Sequence, residues 1–267
     1  MGKIGKLLII AGSDSGGGAG IQADIKSASA RGVYAATAIT AITAQNTVGV
    51  QAVHPLDPAL VAAQIGSVLD DIAIDAVKIG MLGTAPLVVA VADALARFDG
   101  PLVLDPVMVA KSGDVLLERE AIRALSDHLL PRATLLTPNL PEAAQILDEP
   151  EATSAEAVLA QGRALLALGP RAVLMKGGHG RGEICRDLLL TGDTVQEFTA
   201  PRRATRNTHG TGCSYAAAIA AELAQGRALP DAVALAHGWL QGAIAAADAL
   251  KVGRGHGPVH HFHELWA

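Results

Sequence analysis

The chain has 267 residues, of which 50% are hydrophobic and only 3% aromatic, and its formal net charge is −5. This length is long for one domain and short for two, and no Pro/Ser-rich or charged linker divides the chain, so we predict one domain over residues 1–267. The acidic balance and the lack of a Lys/Arg cluster argue against nucleic acid as a partner.

Neither a membrane span nor an export signal is expected. The longest stretch without a charged side chain, Gly32 to Leu56, contains four Thr, two Gln, an Asn, a His and a Pro, which are costly in lipid. Only four large apolar residues, Leu7 to Ile10, stand together near the N-terminus, too few for a signal peptide. We therefore expect a cytoplasmic protein, in which Cys185 and Cys213 are free thiols.

Short apolar runs alternate with longer helical patterns along the chain, which is typical of a sheet covered on both faces. The predicted strands are Lys6–Ala11, Asp75–Gly80, Leu102–Asp105, Thr134–Thr137 and Ala172–Lys176. The predicted helices are Asp57–Leu69, Ala85–Phe98, Ser154–Leu168, Gly212–Gln225 and Pro230–Leu250. This alternation predicts an α/β fold with a mostly parallel sheet and right-handed crossovers.

Two further segments need separate treatment. Tyr34–Asn46 has Thr at positions 37, 40 and 43, a spacing that fits a helix face, but its many β-branched residues favour a strand, which is our prediction. The segments Arg186–Leu190 and Thr194–Thr199 flank a Thr-Gly-Asp turn and predict a hairpin. This hairpin would add an antiparallel edge to the sheet.

The segment AGSDSGGGAGIQADI, Ala11 to Ile25, has five glycines within nine residues. It lacks the Lys of a P-loop after Gly17, and Ile21 stands where a dinucleotide fingerprint has its third glycine. The glycines allow backbone amides to approach a small ligand at a helix start, but they do not identify the ligand.

Polar residues follow several predicted strands, where open α/β sheets bind their ligands. Asp105, Asn139 with Glu142, and Lys176 stand at three such strand ends. Each has a simple structural explanation: Asp105 starts a turn before Pro106, Asn139 caps a helix with Glu142 as its partner, and Lys176 is solvated. Their occurrence at successive strand ends nevertheless predicts one shared site.

The segment Asn207-Thr208-His209-Gly210-Thr211-Gly212-Cys213 leads into a predicted helix. Its two glycines free the backbone, so that the amides of residues 211–213 can converge on one anion at the positive end of the helix dipole. We predict a phosphate site here; the alternative is an ordinary helix N-cap.

The segment Asn207–Cys213 resembles the anion-hole motif of ribokinase-like kinases, and Asn139-x-x-Glu142 resembles their magnesium-phosphate motif. Seven segments in order resemble the hydroxymethylpyrimidine/phosphomethylpyrimidine kinases of thiamin biosynthesis: AGSDSGGGAGIQADIK, TAITAQNTVGVQ, VKIGMLG, LDPVMVAKSGD, LTPNLPEA, MKGGH and NTHGTGCSYAAAIAA. The resemblance runs from Lys6 nearly to the C-terminus. It implies a ribokinase-like three-layer sandwich, with a central, mostly parallel sheet flanked by helices, and commonly a homodimer.

The resemblance also implies two phosphorylations, of 4-amino-5-hydroxymethyl-2-methylpyrimidine and of its monophosphate, with ATP and Mg²⁺ as cofactors. Catalytic roles are implied for Lys176, Gly210, Thr211, Gly212 and Cys213. Acceptor binding is implied for Gly12, Gly18, Asp24, Gln45, Met81 and Val107. Nucleotide binding is implied for Asn139, Lys176, Thr208, Thr211 and Gly212, and metal binding for Asp105 and Glu142. The N-terminal glycines would then serve the acceptor and not ATP.

Position 213 departs from the wider superfamily, which has an Asp there as general base. A helix N-terminus lowers the pKa of a thiol, which predicts a thiolate at Cys213. Because a phosphate monoester is already largely ionised, we expect Cys213 to matter more for the first phosphorylation than for the second. The alternative is a small buried residue that packs under the turn.

Two other functions remain open on the sequence alone. A pyridoxal kinase of the same branch would also bind a heteroaromatic ring with a hydroxymethyl group. A ligand sensor without activity would be expected to lack one of Asp105, Glu142, Lys176 or the Gly-Thr-Gly turn, and all are present.

The segment Lys111–Asp114 resembles a flap near the site or is a polar turn.

Overall fold

The computed structural model describes residues 3–108, 118–179 and 182–266. The strands are β1 (Lys6–Asp14), β2 (Tyr34–Gln45), β3 (Val50–Pro55), β4 (Ala76–Ile79), β5 (Leu102–Leu104), β6 (Leu135–Leu136), β7 (Val173–Met175), β8 (Ile184–Thr191) and β9 (Thr194–Pro201). The α-helices are α1 (Gly20–Ala30), α2 (Pro58–Asp71), α3 (Ala85–Ala94), α4 (Arg119–His128), α5 (Leu140–Leu147), α6 (Ala155–Ala167), α7 (Thr211–Ala224) and α8 (Leu229–Ala245). The predicted flap at 111–114 lies outside the described residues.

One sheet contains all of these strands in the order β3-β2-β1-β4-β5-β6-β7-β8-β9. The pairs from β2 through β7 are parallel, whereas β3, β8 and β9 join antiparallel. Because parallel strands end at the same edge, the residues that follow β1, β4, β5, β6 and β7 lie near one another. This edge carries the candidate site.

The two faces of the sheet bury separate hydrophobic layers, because successive side chains of a strand point to opposite faces. In β1, Leu8 and Ile10 pack into a cluster with residues of α2 through α6. Leu7 and Ile9 pack on the other face with residues of α1, α7 and α8. The predicted three-layer α/β sandwich is therefore confirmed.

Most of the predicted elements are confirmed, with differences at their ends. Residues 34–45 form a strand as predicted, and β8 and β9 form the predicted hairpin. The strand β3 and the helix α4 were not predicted, and α1 and α5 were expected only as helix starts. Helix α3 ends at Ala94 and not at Phe98, because the chain turns through hydrogen bonds from Ala96 to Asp93 and from Phe98 to Leu95.

The last predicted helix is also shorter than expected. It ends at Ala245, and a short 3-10 helix, Ala247–Leu250, follows before Lys251 adopts a left-handed conformation with φ 51°. Within the described ranges, none of the helices has the length and apolar character needed to cross a bilayer.

Candidate active site

Three of the predicted polar residues meet at the carboxyl edge of the sheet. The Lys176 Nζ lies 2.7 Å from Asp105 Oδ1 and 3.9 Å from Glu142 Oε2. The backbone N–H of Lys176 donates to the carbonyl of Pro138, which fixes the end of β7 against the end of β6. All three side chains are largely buried, so their charges interact with little screening by water.

Burial and neighbouring charges set the protonation of this cluster. Burial opposes the ionised form of Asp105, but the cations of Lys176 and Lys78 hold the pKa of its carboxyl below the usual value. Burial also opposes the charged form of Lys176, yet Asp105 and Glu142 raise the pKa of its ammonium group. Burial raises the pKa of Glu142 to about 7, with the charge of Asp105 contributing. Asp105 and Lys176 therefore form an ion pair, and Glu142 is partly protonated at neutral pH.

The predicted helix cap formed by Asn139 and Glu142 is confirmed. The Asn139 Oδ1 accepts from the Glu142 N–H at 2.8 Å, and the Glu142 Oε2 accepts from the Asn139 N–H at 2.8 Å. This capping box stabilises the start of α5 and fixes the Glu142 side chain. The same contacts keep Glu142 beside Lys176, so the cap and the charged cluster are compatible.

A glycine turn, defined here as residues 208–213, opens helix α7. Gly210 is the N-cap with φ 73°, and a Cβ there would overlap the carbonyl oxygen of Gly18. A Cβ at Gly212 would lie 3.2 Å from the Nζ of Lys176 and 3.9 Å from Asp105 Oδ2. The turn and the charged cluster thus border the same space. The Thr208 carbonyl accepts from the Thr211 hydroxyl at 2.7 Å and holds the turn in shape.

Two amides of this turn, those of Gly212 and Cys213, are available to a ligand, whereas the amides of His209 and Thr211 donate to the carbonyls of Gly257 and Thr208. The first N–H groups of an α-helix have no partner inside the helix. No side chain of the described residues caps α7. An anion placed there would be stabilised by these amides and by the helix dipole, with Lys176 adjacent.

A glycine loop, defined here as residues 14–20, follows β1 and has a different arrangement. The carboxylate of Asp14 accepts from the N–H groups of Gly16, Gly18 and Ala19 at 2.8, 3.1 and 2.8 Å. The Asp14 Oδ2 also lies 2.9 Å from His209 Nε2. An internal anion therefore occupies the amides of the glycine loop.

Four of the predicted acceptor-binding residues lie in or beside this loop, namely Gly12, Gly18, Gln45 and Met81. A Cβ at Gly12 would lie 2.6 Å from the Met81 methyl group, and Gly18 faces the ring of His209. Gln45 lines a shallow groove together with His209 and His256. The N–H of Val107 donates to the Asp105 carbonyl, which places the Val107 backbone next to the charged cluster. The structure therefore brings the acceptor residues and the glycine turn to one edge.

Comparisons with known proteins identify the family of the chain. The family model described as phosphomethylpyrimidine kinase matches residues 14–260. The chain belongs to this family. The kinase is 54% identical to the hydroxymethylpyrimidine/phosphomethylpyrimidine kinase of Salmonella typhimurium, over 97% of this chain and 98% of that protein. It is also 47% identical to a thiamine biosynthesis bifunctional protein, ThiED, of Geobacter sulfurreducens, over 96% of this chain and 52% of that protein.

A solved structure supports the same fold. The ADP complex of Bacillus subtilis pyridoxal kinase superposes with a TM-score of 0.91 and 35% sequence identity, covering 99% of this chain and 100% of that chain. The kinase is thus similar in structure to a pyridoxal kinase, while the family model and the curated relative are named for pyrimidine phosphorylation.

The expected thiolate at Cys213 is wrong. Burial raises the pKa of the Cys213 thiol to about 12, and the nearby charges of Asp24 and Asp105 contribute in the same direction. The positive charge of Lys78 opposes this shift but does not reverse it. Burial among carboxylates thus outweighs the helix N-terminus, and the sulfur is a neutral thiol.

Asp24 is fully buried in α1 of the kinase. Its Oδ2 accepts from the Nζ of Lys78 at 2.8 Å, and Lys78 is equally buried in the middle of β4. Burial raises the pKa of Asp24 to about 6, although the positive charge of Lys78 acts to lower it. The contact that the structure gives Asp24 is with Lys78, so direct binding of the acceptor by Asp24 stays a prediction.

The residues of the kinase fit a magnesium ion that is bound together with a nucleotide. The Asp105 Oδ2 is buried and has no hydrogen-bond partner among the described residues. In the same ranges no group of three or more His, Cys, Asp or Glu is arranged to hold a metal alone. Mg²⁺ usually takes one or two carboxylates and completes its shell with phosphates and water, which Asp105 and Glu142 allow.

Sequence reasoning missed three residues of this site: Asp14, Lys78 and His209. Lys78 interrupts an apolar strand, and a charged residue at such a position is a signal of a buried ion pair. Asp14 stands two residues before Gly16, where an Asp commonly accepts from the N–H groups that follow it. No local signal marks His209, because its partner Asp14 is 195 residues away in the sequence.

Proposed function

We propose that the kinase transfers the γ-phosphoryl group of ATP to 4-amino-5-hydroxymethyl-2-methylpyrimidine and then to the resulting monophosphate, in thiamin biosynthesis. The observation that carries this proposal is the direct contact between the two glycine segments. Gly210 packs so closely on Gly18 that no side chain fits between them. An acceptor at the glycine loop would therefore lie beside a phosphoryl group at the glycine turn.

The residues of the glycine turn would hold and stabilise the transferred group. Phosphoryl transfer depends on positioning and on neutralising charge more than on covalent chemistry. The N–H groups of Gly212 and Cys213 would donate to the phosphoryl oxygens, and Lys176 would offset their charge. Gly210 and Thr211 would hold the turn in the shape that this requires. Asn139 and Thr208 would border the nucleotide. When bound through Asp105 and Glu142, Mg²⁺ would neutralise further phosphate charge.

The acceptor would be held on the opposite side of this space. Gln45 offers both an amide donor and an acceptor to the edge of an aminopyrimidine. Met81, against Gly12, offers a polarizable surface to the ring face. Gly18 and the backbone of Val107 would complete the pocket, and Asp24, which pairs with Lys78, would contribute to the polar edge of the acceptor.

Cys213 keeps its proposed role in the first phosphorylation, now as a neutral thiol near the attacking oxygen. An alcohol loses a proton during attack, and a neutral thiol cannot accept it, so Cys213 would only orient the hydroxyl and the proton would pass to an oxygen of the transferred phosphoryl group. A phosphate monoester is already largely ionised and has no such proton to lose. A Cys213→Ala variant should therefore lose more activity on the hydroxymethylpyrimidine than on its monophosphate. Equal losses on both acceptors would show that Cys213 acts in another way.

The test of the proposed function is a phosphorus NMR assay with ATP and Mg²⁺. Hydroxymethylpyrimidine and pyridoxal are offered in separate reactions. A pyrophosphate ester formed from the pyrimidine would establish both phosphorylations. If only pyridoxal were phosphorylated, to its monophosphate, the assignment of the site would stand but the proposed substrate would be wrong.

Pyridoxal is retained as the second candidate acceptor for one reason. The superposition on the Bacillus subtilis pyridoxal kinase shows that this fold accommodates such an enzyme at 35% identity. A sensor without activity is disfavoured, because the charged cluster and the glycine turn are both complete.

The assembly and compartment belong to the proposal too. We infer a single kinase domain over the whole chain, located in the cytoplasm, with no nucleic-acid partner. A homodimer is supported by apolar side chains exposed on β2, β3 and their connection, namely Ile42, Val48 and Val53. Light scattering after gel filtration would give the mass of the assembly, and a monomer would contradict the dimer.

A further inference from the structure

His209 connects the glycine turn with the glycine loop. Its backbone N–H donates to the Gly257 carbonyl at 3.0 Å, next to Gly210. Its buried ring extends away from the turn, so that Nε2 lies 2.9 Å from Asp14 Oδ2 and 3.3 Å from Gln45 Nε2. The backbone of His209 therefore belongs to the glycine turn, whereas its ring contacts Asp14 and Gln45 on the acceptor side.

The contact with Asp14 determines where the ring carries a hydrogen. Burial opposes the ionised form of Asp14, but the hydrogen bonds from His209 and from the loop amides hold the pKa of its carboxyl below the usual value. An ionised carboxylate only accepts hydrogen bonds. The Nε2 of His209 must therefore carry a hydrogen, whether the ring is neutral or charged. It cannot also accept a hydrogen from Gln45.

The other end of the Gln45 amide leads to the same conclusion. Gln45 Oε1 lies 3.2 Å from Thr43 Oγ1, and Thr43 Oγ1 lies 2.9 Å from the carbonyl oxygen of Ser13. A hydroxyl group has one hydrogen, and the Ser13 carbonyl can only accept it. Thr43 therefore presents a lone pair to Gln45, and a donor is required at this end of the amide.

Rotating the amide by half a turn satisfies both ends, since the oxygen and nitrogen of an amide are assigned from their hydrogen-bond partners. We propose that His209 is a positioning residue: its Nε2–H is shared between Asp14 and the Gln45 oxygen and fixes the Gln45 amide nitrogen on Thr43. This arrangement leaves one N–H and one lone pair of Gln45 for the acceptor.

The fixed amide suits the proposed acceptor, on which this inference rests. An aminopyrimidine carries a ring nitrogen that accepts and an adjacent amino group that donates, so its edge complements one N–H and one oxygen lone pair. Because the backbone of His209 belongs to the glycine turn, the same residue sets the distance between the acceptor and the phosphoryl group. Small displacements of reacting groups reduce rates strongly.

Steady-state kinetics of the full-length enzyme test this role. His209→Leu removes the Nε2 donor and should raise KM for hydroxymethylpyrimidine about 10-fold or more, since buried partners lose their hydrogen bond. The KM for ATP should stay within about twofold, because the backbone of the glycine turn is kept. His209→Gln restores an N–H donor and should recover most of the affinity for the pyrimidine. His128→Leu, at the exposed end of α4, is the matched control.

A pyrimidine KM in His209→Leu equal to that of the wild type would overturn the inference. Failure of the wild type to phosphorylate the pyrimidine at all would overturn the proposed function instead. A second measurement needs no variant: nitrogen-15 NMR of histidine-labelled wild type should show a protonated Nε2 at His209. A bare Nε2, with the hydrogen on Nδ1 alone, would contradict the assignment.

Discussion

The two glycine-rich segments differ in what their backbone amides contact. In the glycine loop, the carboxylate of Asp14 accepts from the amides of Gly16, Gly18 and Ala19. In the glycine turn, the described residues place no side chain over the start of α7. A high glycine content therefore does not identify an anion site by itself. The amides must also be free of acceptors that belong to the protein.

The charges beside the two segments also differ, with a carboxylate at the glycine loop and a lysine at the glycine turn. A phosphate brought to the glycine loop would lie next to the buried carboxylate of Asp14, and like charges at short distance repel. A phosphate at the glycine turn would lie next to Lys176, whose Nζ borders the position of Gly212. The loop is therefore suited to the uncharged ring of the acceptor. The turn is suited to the phosphates of ATP and, in the second reaction, to the phosphate of the acceptor.

The largest effect is expected from Gly210→Ala. The new methyl group would overlap the Gly18 carbonyl, and Gly210 already has φ 73°, a conformation that side chains disfavour. The two segments must then separate, and a shift of about 1 Å reduces rates on the order of 100-fold. We expect kcat for both phosphorylations to fall at least this far, as measured by steady-state assay of folded protein.

Gly226→Ala is the matched control for this variant. Gly226 also has a positive φ, 81°, but no atom lies within 4 Å of a Cβ placed there. The substitution should cost roughly 1 kcal/mol of stability from backbone strain alone and leave kcat unchanged. Equal losses of activity in both variants would show that strain, and not the contact with Gly18, matters.

Asp14→Asn should have an intermediate effect, on stability. The variant loses the charge that three amides and His209 bind, and we expect the free energy of unfolding to fall by roughly 3 kcal/mol. Because the pKa of Asp14 is held below its usual value, its stabilisation is present above that value and is lost as the pH falls through the lowered pKa. The difference between variant and wild type should therefore shrink in acid, as measured by urea unfolding at several pH values.

Asp57→Asn provides the comparison for this loss. The Asp57 Oδ1 accepts from the Ala59 N–H at the exposed start of α2, and Asn is an equally good N-cap. The unfolding free energy should change by less than about 0.5 kcal/mol. If Asp14→Asn raised KM for ATP, the carboxylate would be serving the nucleotide, contrary to the comparison of the two segments.

Glu142→Gln should have the smallest effect, visible as a change in pH dependence. Burial raises the Glu142 pKa to about 7 from its usual 4.5, so the folded protein binds the proton more tightly than the unfolded chain. The wild type should therefore lose roughly 2 kcal/mol from pH 5 to pH 8 through this group. Gln keeps the capping box but does not titrate, so the variant should lack this loss.

Thermal unfolding across this pH range measures the effect. The exposed Glu151→Gln serves as control and should leave the wild-type profile unchanged. Parallel profiles for wild type and Glu142→Gln would mean that Glu142 is not buried as the structure places it.

Local patterns in the sequence predicted the sheet and the charged cluster well. Apolar runs marked the buried strands, and the strand-end positions of Asp105, Glu142 and Lys176 were enough to predict their meeting. The exposed strand β3 escaped prediction, because its side chains are not buried and give no apolar pattern. Helix α4 also escaped prediction, although its buried residues Ala121, Ala124 and Leu125 recur at helical spacing.

Long-range contacts could not be predicted in the same way. The protonation of Cys213 depends on Asp24, Lys78 and Asp105, which reach it from three other elements. The helix N-terminus, a local feature, predicted the opposite protonation state. The role of Asp14 in filling the glycine loop likewise depends on the folded backbone.

The most direct measurement is an amide NMR titration of nitrogen-15-labelled protein with a non-hydrolysable ATP analogue and Mg²⁺. The largest shift changes should fall on the amides of Gly212 and Cys213, which border Lys176. The amides of Gly16, Gly18 and Ala19 should change little, because they remain bound to Asp14. Large chemical-shift changes for the amides of the glycine loop, with unchanged shifts for the amides of the glycine turn, would contradict the assignment of the phosphate site to the turn.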